Sequence, residues 1–225
     1  NNMHFIQKNL IDIKEKIERA SIKFNRDPDD VKLIVVTKKF DKEFIKPLLD
    51  SGHLLFGENK VQEAKNKWED ILSLNKGIEL HMVGGLQSNK IKDAISIFTC
   101  VHSIDRSKTL EGINKNLNEK SLLRDIFVQV NISDEPTKGG VKVSEIDKFL
   151  ENCEIFDKVN IVGLMTMPPP NEESSVYFAF LNKLAKKNKL KYLSMGMSND
   201  FETAIALGAT HIRVGEAIMG PRFKN

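Results

Sequence analysis

The chain has 225 residues, of which 40% are hydrophobic and 29% charged, and a formal net charge of +3 at pH 7. That length and composition suit one globular core, so the expectation is a single domain over residues 1–225. Three classes are disfavoured: no apolar run reaches the ~18–20 residues of a membrane span, no basic tract with interleaved aromatics suggests nucleic acid, and the two cysteines, Cys100 and Cys153, form neither a disulfide framework nor a metal-ligand spacing.

Thiols without a framework fit a reducing compartment, and the amino end shows no secretory pattern, so the expected location is the cytoplasm. Residues 4–20 carry Phe5, Ile6, Leu10, Ile13 and Ile17 at helical spacing, which predicts an amphipathic helix ahead of the first strand. Arg26-Asp27-Pro28 reads as a turn. Residues 33–39, Leu-Ile-Val-Val-Thr-Lys-Lys, predict a strand buried on both faces that ends in two lysines. Asp41 can cap a helix that Gly52 ends. A short strand at 54–56 leads through Gly57-Glu58-Asn59 into a helix to about residue 74. A third strand, 79–83, ends in Gly84-Gly85; residues 87–96 read as helix, 100–103 as the fourth strand and 106–120 as helix. The fifth strand, 126–131, is followed by a polar loop at 133–140 and a helix capped by Ser144. A sixth strand at 159–165 precedes Pro168-Pro169-Pro170, which forces an extended loop, and a helix over 172–188. The seventh strand is 192–195 and the next helix, 199–207, stops at Gly208. The eighth strand is 211–214, with a last helical turn at 216–219.

Strands and helices thus alternate about eight times with short connections, the pattern of a parallel sheet wrapped by helices. Eight repeats in about 190 residues suit an α/β fold of the (β/α)8 TIM-barrel type with an extra N-terminal helix. An open doubly wound sheet is the alternative, but no Gly-x-Gly-x-x-Gly follows the first strand.

In a barrel, chemistry gathers at the carboxyl ends of the strands, which is where Lys38 and Lys39 fall. Burial there lowers a lysine pKa, and a second cation lowers it further, giving the neutral amine that Schiff-base chemistry needs. The plain alternative is that both lysines mark the strand end and reach for water. Barrel phosphate sites tend to lie after strands seven and eight, beside a short extra helix. Gly196-Met197-Ser198-Asn199 and Arg213-Val214-Gly215-Glu216 stand at those places. Ser198 can donate a hydroxyl, Asn199 with Glu202 has capping-box spacing, and the amides at Gly215 can cradle an anion. Two ordinary strand-to-helix turns would look the same, and Asp200 and Glu202 weigh against an anion. Arg213 lies between Ile212 and Val214 and needs a partner if buried: either the ring nitrogen of a cofactor or a carboxylate such as Glu58 or Glu202. Asn59, His81, Asn131, Met165 and Ser194 also fall at strand ends, where each taken singly reads more readily as a satisfied structural residue than as a ligand. His53, His102 and His211 share no metal-like spacing, and residues 135–140 read as a lid or surface turn.

Several of these segments fall in one family's order: Thr37-Lys38, residues 56–63 (Phe-Gly-Glu-Asn-Lys-Val-Gln-Glu), residues 81–90 (His-Met-Val-Gly-Gly-Leu-Gln-Ser-Asn-Lys), Asn131-Ile132, Glu135 with Lys138 and Gly140, Gly163-Leu164-Met165, Met195-Gly196-Met197-Ser198 and Arg213-Val214-Gly215. On these, nearly the whole chain resembles the pyridoxal 5′-phosphate homeostasis proteins, the YggS/PROSC group, whose fold is similar to the barrel domain of alanine racemase. The resemblance implies that Lys38 forms the internal aldimine with pyridoxal 5′-phosphate. Ser198 and the amides of Gly215 and Glu216 would hold the phosphate, Arg213 would face the pyridine nitrogen, and Asn59 would lie near the ring with Met165 packed against it. His81 is a further contact and a possible substitute base. Strand phase alone leaves Lys38 and Lys39 open; the resemblance selects Lys38. Departures from the family pattern are Lys39 itself and Met219, where phenylalanine is expected.

The implied function is intracellular homeostasis of the cofactor without robust catalysis: no catalytic residue, no metal, no membrane or nucleic-acid partner, a monomer, and apo-enzymes as possible acceptors. The two tyrosines, Tyr177 and Tyr192, are read as far from the cofactor, and a chain ending at residue 225 is expected to lack a racemase's second domain. A pyridoxal-phosphate-dependent racemase and a lysine Schiff-base aldolase are the competing readings.

Overall fold

Strand β1 (Lys32–Val36) is buried from Leu33 onward, and the two faces of that run enter different cores. Leu33 and Val35 join the large apolar layer under the surrounding helices, whereas Ile34 and Val36 meet Val83 in a separate cluster inside the sheet. Two-residue alternation with both faces apolar is what a barrel strand requires. The computed structural model describes residues 3–221.

The remaining strands are β2 (Leu55–Glu58), β3 (Glu79–Met82), β4 (Cys100–Ile104), β5 (Asp125–Asn131), β6 (Val141–Lys142), β7 (Ile161–Met165), β8 (Tyr192–Ser194) and β9 (His211–Val214). All pairings are parallel; the order β4-β3-β2-β1-β9-β8-β7-β5 closes on itself through β4–β5, making an eight-stranded barrel. β6 is an addition that pairs only with the end of β5. The (β/α)8 expectation therefore holds, with one short strand that the sequence pattern did not show. Gly163 permits the close approach of β7 to β8: a Cβ there would lie 2.1 Å from the Tyr192 carbonyl oxygen.

Helices α2 (Lys42–Asp50), α3 (Val61–Leu74), α4 (Ile91–Ile97), α5 (Ser107–Asn116), α6 (Ile146–Asn152), α7 (Ser175–Lys187), α8 (Phe201–Ala206) and α9 (Glu216–Met219) follow the strands in turn. Helix α1 (His4–Lys23) buries Ile6, Leu10, Ile13 and Ile17 of the predicted stripe against α2, α8 and α9 and leaves Phe5 exposed. No helix among the described residues is long and apolar enough to cross a membrane.

Several boundaries differ from the sequence reading for local reasons. β1 ends before the lysines because Lys39 turns into the left-handed region at φ 68°, its N–H held by Glu63 Oε2 at 2.7 Å. Ser144 sits inside a 3-10 turn (Val143–Glu145) that precedes α6 rather than capping it. α7 starts three residues late, where Phe178 N–H reaches the Ser174 carbonyl at 3.0 Å. The Asn199/Glu202 capping box is not formed: α8 begins at Phe201 after Asp200, whose Oδ1 accepts the Met197 N–H at 2.8 Å.

Candidate functional site

The barrel opens into a cavity at each end. The upper one, at the carboxyl ends of the strands, has a volume of about 1190 Å³ and is lined by Lys38, Asn59, Ser198, Arg213, Gly215 and Glu216 among others. The lower one, about 720 Å³, is lined by Lys32, Glu79, His81, Cys100, Tyr192 and His211 among others.

Lys38 continues the inward phase of Ile34 and Val36 and stands half-buried in the upper cavity wall. Lys39 points out to a separate surface depression beside Asp41 and Glu63. The turn carrying both is pinned from behind by a buried polar knot. Glu58, fully buried at the end of β2, accepts through one oxygen from Thr37 Oγ1, from Trp68 Nε1 at 2.9 Å and from Lys67 Nζ at 2.9 Å. Lys67 also donates to the Thr37 carbonyl at 2.7 Å and to Glu63 at 3.1 Å. Burial raises the Glu58 pKa, and Lys67, Thr37 and Trp68 work against that rise. The knot holds Thr37 outward, so the next side chain must face the lumen.

Arg213 is buried near the end of β9. Its Nη2 donates to the Thr166 carbonyl at 2.9 Å. Its Nε and Nη1 have no hydrogen-bond partner among the described residues. Neither Glu58 nor Glu202 neutralises it, so the structural-carboxylate alternative falls: Glu58 is spent on Lys67 from the opposite face of its strand. Burial pulls the Arg213 pKa down to about 10, with Asp200 opposing, so the group stays charged at neutral pH. A buried guanidinium with two bare N–H directions is costly unless a polar group enters the cavity to meet them.

The turns after β8 and β9 meet at Ser198, whose Oγ accepts the Ala217 N–H at 3.2 Å and keeps its own O–H to donate. Gly196 enters the first turn at φ 102°, and a Cβ there would lie 2.6 Å from that of Ala204, so only glycine fits. Gly215 and Glu216 bring the start of α9 to the same wall.

Two expected contacts are elsewhere. His81 faces the lower cavity, because it sits mid-strand on β3 rather than at the carboxyl end. Met165 is buried one layer down, against Cys100 and Phe127, and Met167, two residues on, reaches the upper cavity in its place. Conversely Asp105, Arg106, Gln129 and Gly139 line the upper cavity without any signal in the sequence. They arrive there by tertiary contact: the Gly140 N–H donates to Asp105 Oδ2 at 2.8 Å and brings Gly139 to the cavity wall. Of the loop read as a lid or surface turn, Gly139 forms part of the wall.

A parallel barrel with a lysine, a buried arginine and two glycine-bearing turns at its carboxyl mouth places the chain in a recognisable class. The family model described as "Alanine racemase, N-terminal domain" matches residues 9–222. An alanine racemase from Corynebacterium glutamicum shares the fold at a TM-score of 0.69 and 16% identity, over 96% of this chain and 60% of that one. Within that fold, the chain belongs to the pyridoxal phosphate homeostasis protein family. Curated members from Aquifex aeolicus and Escherichia coli are 34% and 33% identical, over 93% and 98% of this chain and 95% and 98% of theirs. The structure of PipY from Synechococcus elongatus with pyridoxal phosphate bound matches at a TM-score of 0.81 and 31% identity, over 96% of this chain and all of that one.

Proposed function

We propose that this chain binds pyridoxal 5′-phosphate in the upper cavity, covalently through the Lys38 amine, and serves homeostasis of that cofactor without robust catalysis. The observation that carries the reading is Arg213: a buried, charged guanidinium with two nitrogens unpartnered among the described residues, lining the cavity that Lys38 also lines. The residues fit the cofactor. Lys38 supplies the amine, Arg213 a donor face for the pyridine nitrogen, and Ser198 with the amides of Gly215 and Glu216 a seat for the phosphate. Asn59 lies on the wall between Lys38 and β3. The bound cofactor supplies an electrophilic carbonyl carbon and an electron-accepting ring.

Two features support weak turnover. A ring nitrogen facing a guanidinium stays unprotonated, which makes the ring a poorer acceptor of carbanion charge. Racemisation also needs a second acid/base on the far face of the substrate. Tyr177 lies outside the barrel on α7, bonded to Glu172 at 2.9 Å, and Tyr192 and His81 line the lower cavity. Asp105 is engaged by the Gly140 amide.

The accompanying readings are a single domain over residues 1–225, a monomer, apo-enzymes as acceptors and a cytoplasmic location. Packing of α1 across α2, α8 and α9 and the two buried free cysteines support the first and last.

Visible spectra before and after borohydride reduction, followed by peptide mapping, test the attachment. Reduction should trap the cofactor on Lys38, and Lys38→Ala should remove the covalent spectrum while leaving the circular dichroism unchanged. Label on Lys39 would overturn the assignment. Turnover is tested by proton exchange at the α-carbon of alanine and serine in deuterated buffer. Exchange near the ~1–10³ s⁻¹ of ordinary enzymes, lost in Lys38→Ala, would mean a racemase-like enzyme instead.

A further inference from the structure

Three side chains from two neighbouring strands meet in the lower lumen, away from the proposed cofactor site. They are His81 of β3 and Cys100 and His102 of β4, all buried. Parallel pairing sets His81 in register with Cys100. His102 follows two residues on, so both β4 residues share the lumen face. The ligand atoms of the three lie within 4.8 Å of one another.

The imidazoles face each other nitrogen to nitrogen, His81 Nδ1 and His102 Nε2 standing 2.9 Å apart. Two nitrogens on one tetrahedral ion, each bound at ~2.0–2.1 Å, stand roughly 3.3 Å apart, so a shift of a few tenths of an ångström would admit the ion. The outer nitrogen of His102 is already held by a hydrogen bond, and that of His81 faces a carboxylate. His102 Nδ1 lies 2.7 Å from Ser194 Oγ, and His81 Nε2 lies 3.8 Å from the Glu79 carboxylate, which Arg124 also pairs. Metal-binding imidazoles are held in this way, with the far nitrogen on a hydroxyl, carbonyl or carboxylate. His102 is further fixed by stacking on Phe127 at 4.4 Å between centroids.

We propose that His81, Cys100 and His102 form a binding site for a transition-metal cation, zinc(II) by the character of its two-nitrogen, one-sulfur set. Such a set favours a borderline-soft cation over magnesium or calcium, which take oxygen ligands. The lower cavity, lined by His81 and Cys100, gives the hydrated ion a way in and leaves room for water as the fourth ligand. Binding exchanges one proton for the ion. The Cys100 thiol loses its proton to solvent and bonds the metal as thiolate. Each imidazole stays neutral, and the ring that donates between the pair moves its proton to the outer nitrogen.

The test uses the full chain stripped by a chelator and titrated with cobalt(II), with zinc(II) as competitor. Wild-type protein should take up one equivalent of cobalt(II), with a thiolate-to-cobalt charge-transfer band and intense tetrahedral d–d bands that zinc(II) abolishes. Cys153→Ser and Lys38→Ala should behave as wild type. Cys100→Ser should lose the charge-transfer band, and Ser194→Ala should keep it while weakening cobalt(II) binding roughly 10–100-fold. Should Cys100→Ser fail to fold, His81→Gln keeps the thiol and should weaken binding by at least the same factor. Absence of the band in wild-type protein would overturn the proposal without recourse to any variant. So would its persistence in folded Cys100→Ser, or its loss in Lys38→Ala, which would put the ion at the cofactor site.

Discussion

Lys38 and Lys39 are adjacent and chemically alike, yet the structure gives them opposite surroundings. One half-turns into the lumen and the other onto the surface, because Glu58 and Glu63 hold the backbone between them from outside. Ser198 shows a second residue-scale effect: its oxygen joins the β8 and β9 turns while its hydrogen remains for a ligand. Replacing Ser198 by Ala removes a donor to a dianion, worth roughly 1.5–3 kcal/mol when charge-assisted. Equilibrium binding of pyridoxal 5′-phosphate to Ser198→Ala should weaken about tenfold or more, whereas unphosphorylated pyridoxal should bind nearly as before. Equal losses for both ligands would place Ser198 away from the phosphate.

At the scale of elements, the barrel depends on how closely neighbouring strands approach. Gly163 has the Tyr192 backbone carbonyl where its side chain would go, so Gly163→Ala must push β7 and β8 apart. Overpacking of this kind costs roughly 1–3 kcal/mol. Gly85, in the turn after β3, has nothing within 4 Å of the same position. Urea denaturation should therefore show a clear loss for Gly163→Ala and less than about 0.5 kcal/mol for Gly85→Ala. Similar midpoints for the two would mean that strand spacing at β7–β8 is not tight. Element boundaries also explain why the upper cavity has the wall it has: β6 extends β5 by one short pairing, and that pairing places Gly139 and Gly140 against Asp105.

For the whole molecule, acid stability should carry the mark of a buried histidine that lines neither cavity. His53 is buried under α2, edge-on to Phe56 at 5.2 Å between centroids, with Nε2 2.6 Å from the Leu55 carbonyl. Burial lowers its pKa from 6.5 to about 4. The unfolded chain therefore binds a proton that the folded chain refuses between those values. The His53 contribution is complete above about pH 6.5 and is lost as pH falls towards 4. It amounts to roughly 2 kcal/mol between pH 7 and pH 5. The fall in unfolding free energy from urea denaturation over that interval should be smaller in His53→Gln by about this amount. An identical fall in both proteins would assign the acid sensitivity to other groups.

Alternation in the sequence pointed to the barrel, since eight short strand-like runs separated by helical segments have few other ways to bury both faces of a parallel sheet. Strand ends and glycine-bearing turns also have local signatures, which marked the Lys38-Lys39 pair, Arg213, Ser198 and Gly215, whereas only the family resemblance chose Lys38 over Lys39. Local sequence could not show that no carboxylate among the described residues forms an ion pair with Arg213, that His81 lies at the opposite end from the lysine, or that Gly139 joins the wall of the mouth. Those facts depend on which strands become neighbours and in what register. The same is true of His81 beside Cys100 and His102: their spacing along the chain is unremarkable, and only the alignment of β3 with β4 brings two imidazoles and a thiol to one point. Local sequence sets each strand's own alternation, whereas the register between strands is decided by the closure of the whole barrel.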